Sequence, residues 1–165
     1  MLMSVGADFG IGNAGHYAIN SMRLEKGYRA WGADLSPDDT PLEAGLSFAV
    51  DWSRDFLGRE ALLLARKQAQ TKRLATFVLK DPDAVLWGSE PIMRNGEPVG
   101  DTTSGAYGFT LGASIGMGCV NNDDGVTRGE YLESGEYEIE TNGARIGAKL
   151  WLRAPYDPGR ARIMV

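Results

Sequence analysis

The order of apolar and polar positions divides the chain into two textures. Upstream of about residue 70 apolar residues recur at helical spacing, and downstream they alternate in short runs broken by turn residues. Asn13 to Glu25 reads as a helix in which Tyr17, Ala18, Met22 and Leu24 can mostly share one side. Asn13 can cap its start, and Gly27 can end it in a left-handed conformation. Gly58 to Gln70 reads as a second helix, with Ala61, Leu62, Ala65 and Ala69 at helical spacing. Between the two, residues 27–34 are rich in aromatics and arginine, residues 36–41 are a loop by composition, and Leu46 to Trp52 alternates enough to predict a strand.

From Thr71 onward the pattern is that of sheet. Leu74 to Leu79 is strand-like, and Asn95-Gly96 between Pro91–Met93 and Glu97–Val99 signals a hairpin. Asn142-Gly143 signals a second. Tyr137, Ile139 and Thr141 alternate with Glu136, Glu138 and Glu140 before it. Ile146, Ala148, Leu150 and Leu152 alternate with Gly147, Lys149, Trp151 and Arg153 after it. Ile115 to Val120 is a further strand whose glycines predict close backbone approach. The expected class is α+β: a mixed helix-and-strand part over residues 1–70, then a small antiparallel barrel or sandwich over residues 71–165.

Composition narrows the function classes. With 43% hydrophobic and 24% charged residues the chain is ordinary globular material, and no apolar run approaches the roughly 20 residues of a spanning helix, so no membrane is expected. The first residues carry neither the basic region nor the apolar stretch of a secretory signal. A net charge of -5 argues against nucleic acid as a partner, although one placed arginine can still hold a small anion. The lone Cys119 excludes an internal disulfide and fits a reducing compartment, so the expected location is cytoplasmic.

Several motifs carry no chemistry. Gly6, Gly10 and Gly12 lack the spacing of a dinucleotide-binding loop and read as a turn. Asn121-Asn122-Asp123-Asp124-Gly125 lacks the alternating acids and closing glutamate of a calcium loop. His16 is the sole histidine, so neither a histidine-based metal site nor a Ser-His-Asp triad can be argued, and Cys119 reads as a buried, inert thiol. The stretch from Met22 to Gly32 is different. Arginine, glutamate and two aromatics at a helix exit offer paired donors and stacking faces suited to a flat heteroaromatic ligand. The same residues also make an ordinary solvated helix end with aromatic packing.

Residues 23–34, Arg-Leu-Glu-Lys-Gly-Tyr-Arg-Ala-Trp-Gly-Ala-Asp, resemble the signature of the glycine-cleavage T-protein (aminomethyltransferase) family. Thr40-Pro41-Leu42-Glu43-Ala44-Gly45-Leu46 and Phe56-Leu57-Gly58-Arg59-Glu60-Ala61-Leu62 follow at the family spacing. Gly100-Asp101-Thr102-Thr103-Ser104-Gly105 is similar to a turn of the family's C-terminal barrel, and Pro155-Tyr156-Asp157-Pro158 resembles the branch fused to sarcosine and dimethylglycine dehydrogenases.

The resemblance implies that residues 1–70 are the C-terminal remnant of a folate-binding domain and residues 71–165 the family's C-terminal β-barrel. It implies tetrahydrofolate as cofactor, and transfer to it of a one-carbon unit from N-methyl amine oxidation. Flavin is expected only on an upstream domain. Arg23 matches a family arginine that contacts the folate, and Trp31 lies at or beside an aromatic position near the pterin. The family's catalytic aspartate falls in a motif upstream of residue 1, and Asp34, Asp38 and Asp39 do not match it. The chain alone is therefore expected to be inactive, and to need the N-terminal part of the same protein or a partner subunit. Its uncovered apolar face is expected to favour self-association. The alternative is a non-catalytic folate-binding or structural module on the same fold. The cysteine of the iron–sulfur maturation relatives is replaced by Tyr28 in the comparable stretch, which lowers that version.

Overall fold

The computed structural model describes residues 1–162 apart from 124, 126 and 128. Six strands form a closed antiparallel barrel: β1 (Lys72–Leu79), β2 (Pro91–Arg94), β3 (Glu97–Gly108), β4 (Ala113–Asn121), β5 (Tyr137–Thr141) and β6 (Ala144–Trp151), in the spatial order β1-β4-β3-β2-β5-β6. The sheet closes where β6 returns to β1, pairing Trp151 with Thr76 and Ala148 with Leu79. Upstream lie helices α1 (Leu2–Gly6), α2 (His16–Glu25) and α3 (Arg59–Lys67); a short helix α4 (Gly129–Glu133) precedes β5. No helix among the described residues is long and apolar enough to cross a membrane.

The barrel follows the alternation in its sequence. Both Asn-Gly pairs turn with positive φ at both residues, 53° and 88° at Asn95-Gly96 and 51° and 75° at Asn142-Gly143, which matches the twist of the strands they join. One face of β1 sends Ala75, Phe77 and Leu79 inward to meet Ile92, Val120, Tyr137, Ile139 and Ala148. Leu86, from the loop before β2, and Leu132 of α4 complete this core. The opposite face carries Leu74, Ile115 and Met117 outward under Leu24 of α2. β1 and β4 are therefore buried on both sides. The expected close approach is real at Gly118, where an added Cβ would collide with the Asp101 carbonyl and lie 2.8 Å from Ile92 Cδ1.

The upstream part departs from expectation in three places. α2 begins at His16, and its N-cap is Gly15, with no side-chain cap from Asn13 or elsewhere. Its buried face is Ser21, Leu24 and Glu25, while Tyr17 and Met22 are exposed: Leu24 meets the apolar patch of the barrel, and Ser21 and Glu25 bond polar groups beside it. Leu46 to Trp52 is not a strand: Ser47–Ala49 form a single 3₁₀ turn with no strand to pair with. The second helix is shorter than expected, Arg59–Lys67, and buries Leu62. The exit of α2 behaves as expected. Gly27 takes φ +64°, its N–H donates to the Leu24 carbonyl at 2.9 Å, and the Tyr28 N–H reaches the Arg23 carbonyl at 2.8 Å. This double closure satisfies carbonyls the helix would otherwise orphan.

Candidate functional site

The exit of α2 is pinned to the barrel by buried polar groups. Residues 30–35 wind into a compact loop in which the N–H groups of Ala33, Asp34 and Leu35 converge on the Ala30 carbonyl. That loop turns the Asp34 carboxylate inward. Its Oδ2 accepts from Arg23 Nη1 and, at 2.8 Å, from the Ala30 N–H; its Oδ1 accepts from Thr103 Oγ1 at 2.6 Å and Ser104 Oγ at 2.7 Å. Four donors saturate the carboxylate. Arg23 is nearly as occupied: Nε donates to Asn20 Oδ1 at 2.8 Å, Nη1 also to the Tyr28 carbonyl at 3.1 Å, and Nη2 to Ser104 Oγ at 2.8 Å. The Arg23 side chain is 14% exposed and that of Asp34 0%.

Two consecutive hydroxyls reach one carboxylate oxygen because the strand is irregular there. Residues 100–105 are not a turn but lie inside β3. The pairing slips between Thr102 and Ser104, which face Gly118 and Met117. In a regular strand neighbouring side chains point to opposite faces; the slip at Thr103 lets the hydroxyls of Thr103 and Ser104 both turn toward Asp34, while that of Thr102 bonds Glu90.

Glu25 is a second buried tie. Its Oε1 accepts the N–H groups of Thr110 (2.7 Å) and Leu111 (3.1 Å), and its Oε2 the Thr110 hydroxyl (2.9 Å). Lys26 pairs with Asp157 at 3.0 Å and so fixes the segment after β6.

The two residues expected to meet a ligand stand differently. Arg23 is in the middle of this network with one Nη2 hydrogen uncommitted. Trp31 projects from the same loop, 73% exposed, linked to it by a bridge to Leu35. Sequence reasoning passed over Asp34, which matched no catalytic position, and over Thr103 and Ser104. The only signal was their membership of two motif blocks, because nothing local says that residues about seventy positions apart touch. His16 is exposed at the start of α2. Cys119 is half-buried, and burial pushes its thiol up to about 11, so it is a poor nucleophile near neutral pH. The oxygen-rich run at 121–125 includes residue 124, which lies outside the described residues.

A closed six-stranded barrel carrying an upstream segment tied down through a buried Arg–Asp–hydroxyl network defines the class of protein. The glycine cleavage T-protein C-terminal barrel domain matches residues 72–157, and the GCVT N-terminal domain matches residues 1–54. The chain belongs to the glycine cleavage T-protein family. It is 40% identical over 165 residues to human mitochondrial sarcosine dehydrogenase, covering 98% of this chain and 18% of that protein. It is 43% identical over 160 residues to the mouse mitochondrial pyruvate dehydrogenase phosphatase regulatory subunit, covering 90% and 18%. With the aminomethyltransferase of Halothermothrix orenii it shares 40% over 132 residues, covering 79% and 36%. The crystal structure of aminomethyltransferase T from Bartonella henselae has the same fold, with a TM-score of 0.71 at 23% identity over 86% of this chain and 38% of that one. The chain spans about a fifth of the length of the larger relatives.

Proposed function

We propose that this chain is the C-terminal part of a tetrahydrofolate-dependent aminomethyltransferase that accepts one-carbon units from the oxidation of an N-methyl amine such as sarcosine or dimethylglycine. In this reading residues 1–70 complete a folate-binding domain, residues 71–165 buttress it, and the cytoplasm houses the protein; the human sarcosine dehydrogenase named above is mitochondrial. The observation that carries the reading is the α2 exit, where Arg23 keeps one Nη2 hydrogen uncommitted and the loop that follows exposes the indole of Trp31. A guanidinium can bond a pterin edge or a carboxylate, and an indole can stack on a flat ring. The upstream part of the same protein, or a partner subunit, supplies the catalytic carboxylate and any flavin.

The test is titration of tetrahydrofolate into the intact longer protein and its variants. Arg23→Ala is expected to lose about 1.5–3 kcal/mol of affinity, on the order of ten- to a hundredfold. Because Arg23 also holds Asp34, the variant must melt like its parent before the comparison counts. Trp31→Ala perturbs little of the fold and should cost roughly 0.5–1.5 kcal/mol. Equal affinity in both correctly folded variants would remove both residues from the folate site. The 165-residue chain alone should bind folate weakly and catalyse nothing.

A second reading is a non-catalytic folate-binding or structural module, favoured by the 43% identity to a protein named as a regulatory subunit. Folate binding by the intact protein without one-carbon transfer would select it.

A further inference from the structure

A cleft of about 730 Å³ opens beyond the α2 exit, between the loop around Gly45 and the segment that follows β6. Five cationic side chains line it, Lys26, Arg29, Arg73, Arg153 and Arg160, against the single carboxylate of Asp157. Lys26 and Asp157 already neutralise each other at 3.0 Å. Four arginines remain, in a chain whose net charge is -5.

Arg29 and Arg73 are half-buried and converge. A Cβ added to Gly45 would lie 2.9 Å from Arg73 Nη2 and 3.1 Å from Arg29 Nη2, so the two groups flank one small gap that only the missing side chain keeps open. Backbone carbonyls hold their other edges. Arg29 Nε donates to the Ala44 carbonyl at 3.1 Å and Nη1 to that of Gly27; Arg73 Nη1 donates to the Leu42 carbonyl at 2.9 Å. Arg73 Nε is buried without a partner. Among the described residues neither guanidinium has an ion-pair partner. Burial lowers the pKa of both from the ordinary arginine value, and the like charge of Arg73 lowers Arg29 further; the Asp34 carboxylate, already saturated by its own four donors, offsets only part of this for Arg29. Holding two desolvated cations side by side is unfavourable for folding unless an anion compensates them. Each fork leaves Nη2 donors directed at the gap, and a guanidinium fork matches the spacing of carboxylate or phosphate oxygens.

We propose that Arg29 and Arg73 form a clamp for a small dianion, a dicarboxylate or a phosphate, in this cleft. Arg160, which stands 5.8 Å from the centre of the Phe48 ring, adds a further positive charge at the cleft. The clamp is independent of the folate reading: it uses neither Arg23 nor Trp31.

The experiment titrates inorganic phosphate and, separately, glutarate into the full 165-residue chain at constant ionic strength, read by calorimetry and by the Nε–Hε resonances of the arginines. One-to-one binding of at least one probe is expected, with the Arg29 and Arg73 resonances shifting; the tighter probe identifies the ligand class. Arg29→Met and Arg73→Met should each weaken binding about tenfold or more. Arg54→Ala, which removes an exposed guanidinium paired with Asp51 and not lining the cleft, should leave it unchanged. The resonance readout needs no variant, so a misfolded Arg73→Met protein does not spoil the test. Absence of saturable binding by both probes, or binding that moves neither arginine resonance, would overturn the proposal.

Discussion

The barrel and the segment upstream of it are held by different forces. In the barrel, Phe77, Ile92, Val120 and Ile139 are fully buried and pack on one another from four strands. Upstream, α1 buries nothing, and α2 buries one apolar side chain, Leu24, beside Ser21 and Glu25. What fastens that segment is a set of directed bonds to the barrel: Arg23 and Asp34 to Thr103 and Ser104, Glu25 to Thr110 and Leu111, and Lys26 to Asp157. A hydrophobic core tolerates rearrangement in proportion to the volume it keeps, whereas a buried polar network fails when one member is removed. The barrel, whose core is its own, is therefore expected to be the more robust part. The upstream segment is placed by directed bonds, with little apolar burial of its own.

The largest expected effect contrasts Phe77→Ala with Phe9→Ser. Removing Phe77 empties the barrel centre, where its ring lies 5.6 Å from that of Tyr137, and should cost about 3–5 kcal/mol in denaturant unfolding. Phe9 is 87% exposed and its replacement should leave the unfolding midpoint alone, while reducing the self-association expected of an uncovered apolar end, measured by light scattering.

Next comes Asp34→Ala, which strands Arg23 with its charge buried and frees two hydroxyls. A loss of about 3 kcal/mol is expected. The paired replacement Arg23→Met with Asp34→Leu should recover much of it, and hydrogen exchange should localise the loosening to residues 23–35 and leave the barrel protected. Equal loosening of both regions would mean that the network supports the barrel too.

The smallest effect belongs to the surface tie between Asp39 and Lys72, 2.6 Å apart. The hydrogen bond from Lys72 lowers the Asp39 carboxyl below its ordinary value, and Asp39 raises the Lys72 ammonium. A lowered acid stabilises the fold above its unfolded pKa of about 3.9 and loses that contribution as pH falls through the folded value. A raised base contributes below about 10.4 and loses it as pH rises through its folded value. The difference in unfolding midpoint between the parent chain and Asp39→Asn should therefore be flat from about pH 5 to 10 and shrink below about pH 4. Its size should stay within about 1 kcal/mol, since the lysine is partly exposed.

What the sequence determined is what depends on neighbours along the chain. Alternation fixed which residues of β5 and β6 point inward, the two Asn-Gly pairs fixed their hairpins, and Gly27 fixed the end of α2, because each follows from local geometry that few residues can adopt. The family resemblance located the stretch that carries Arg23 and Trp31. Tertiary structure decided the rest. It chose the polar side of α2 for burial over Tyr17 and Met22, since the bonds waiting on β3 and at Thr110 outweigh the exposed apolar area. It made residues 100–105 a bulged strand, because only pairing with β4 reveals the extra residue at Thr103. It set Arg29 beside Arg73 around Gly45, forty-four positions apart in the chain, a proximity that no local pattern encodes because it is created by the loop 44–48 folding against the first strand of the barrel.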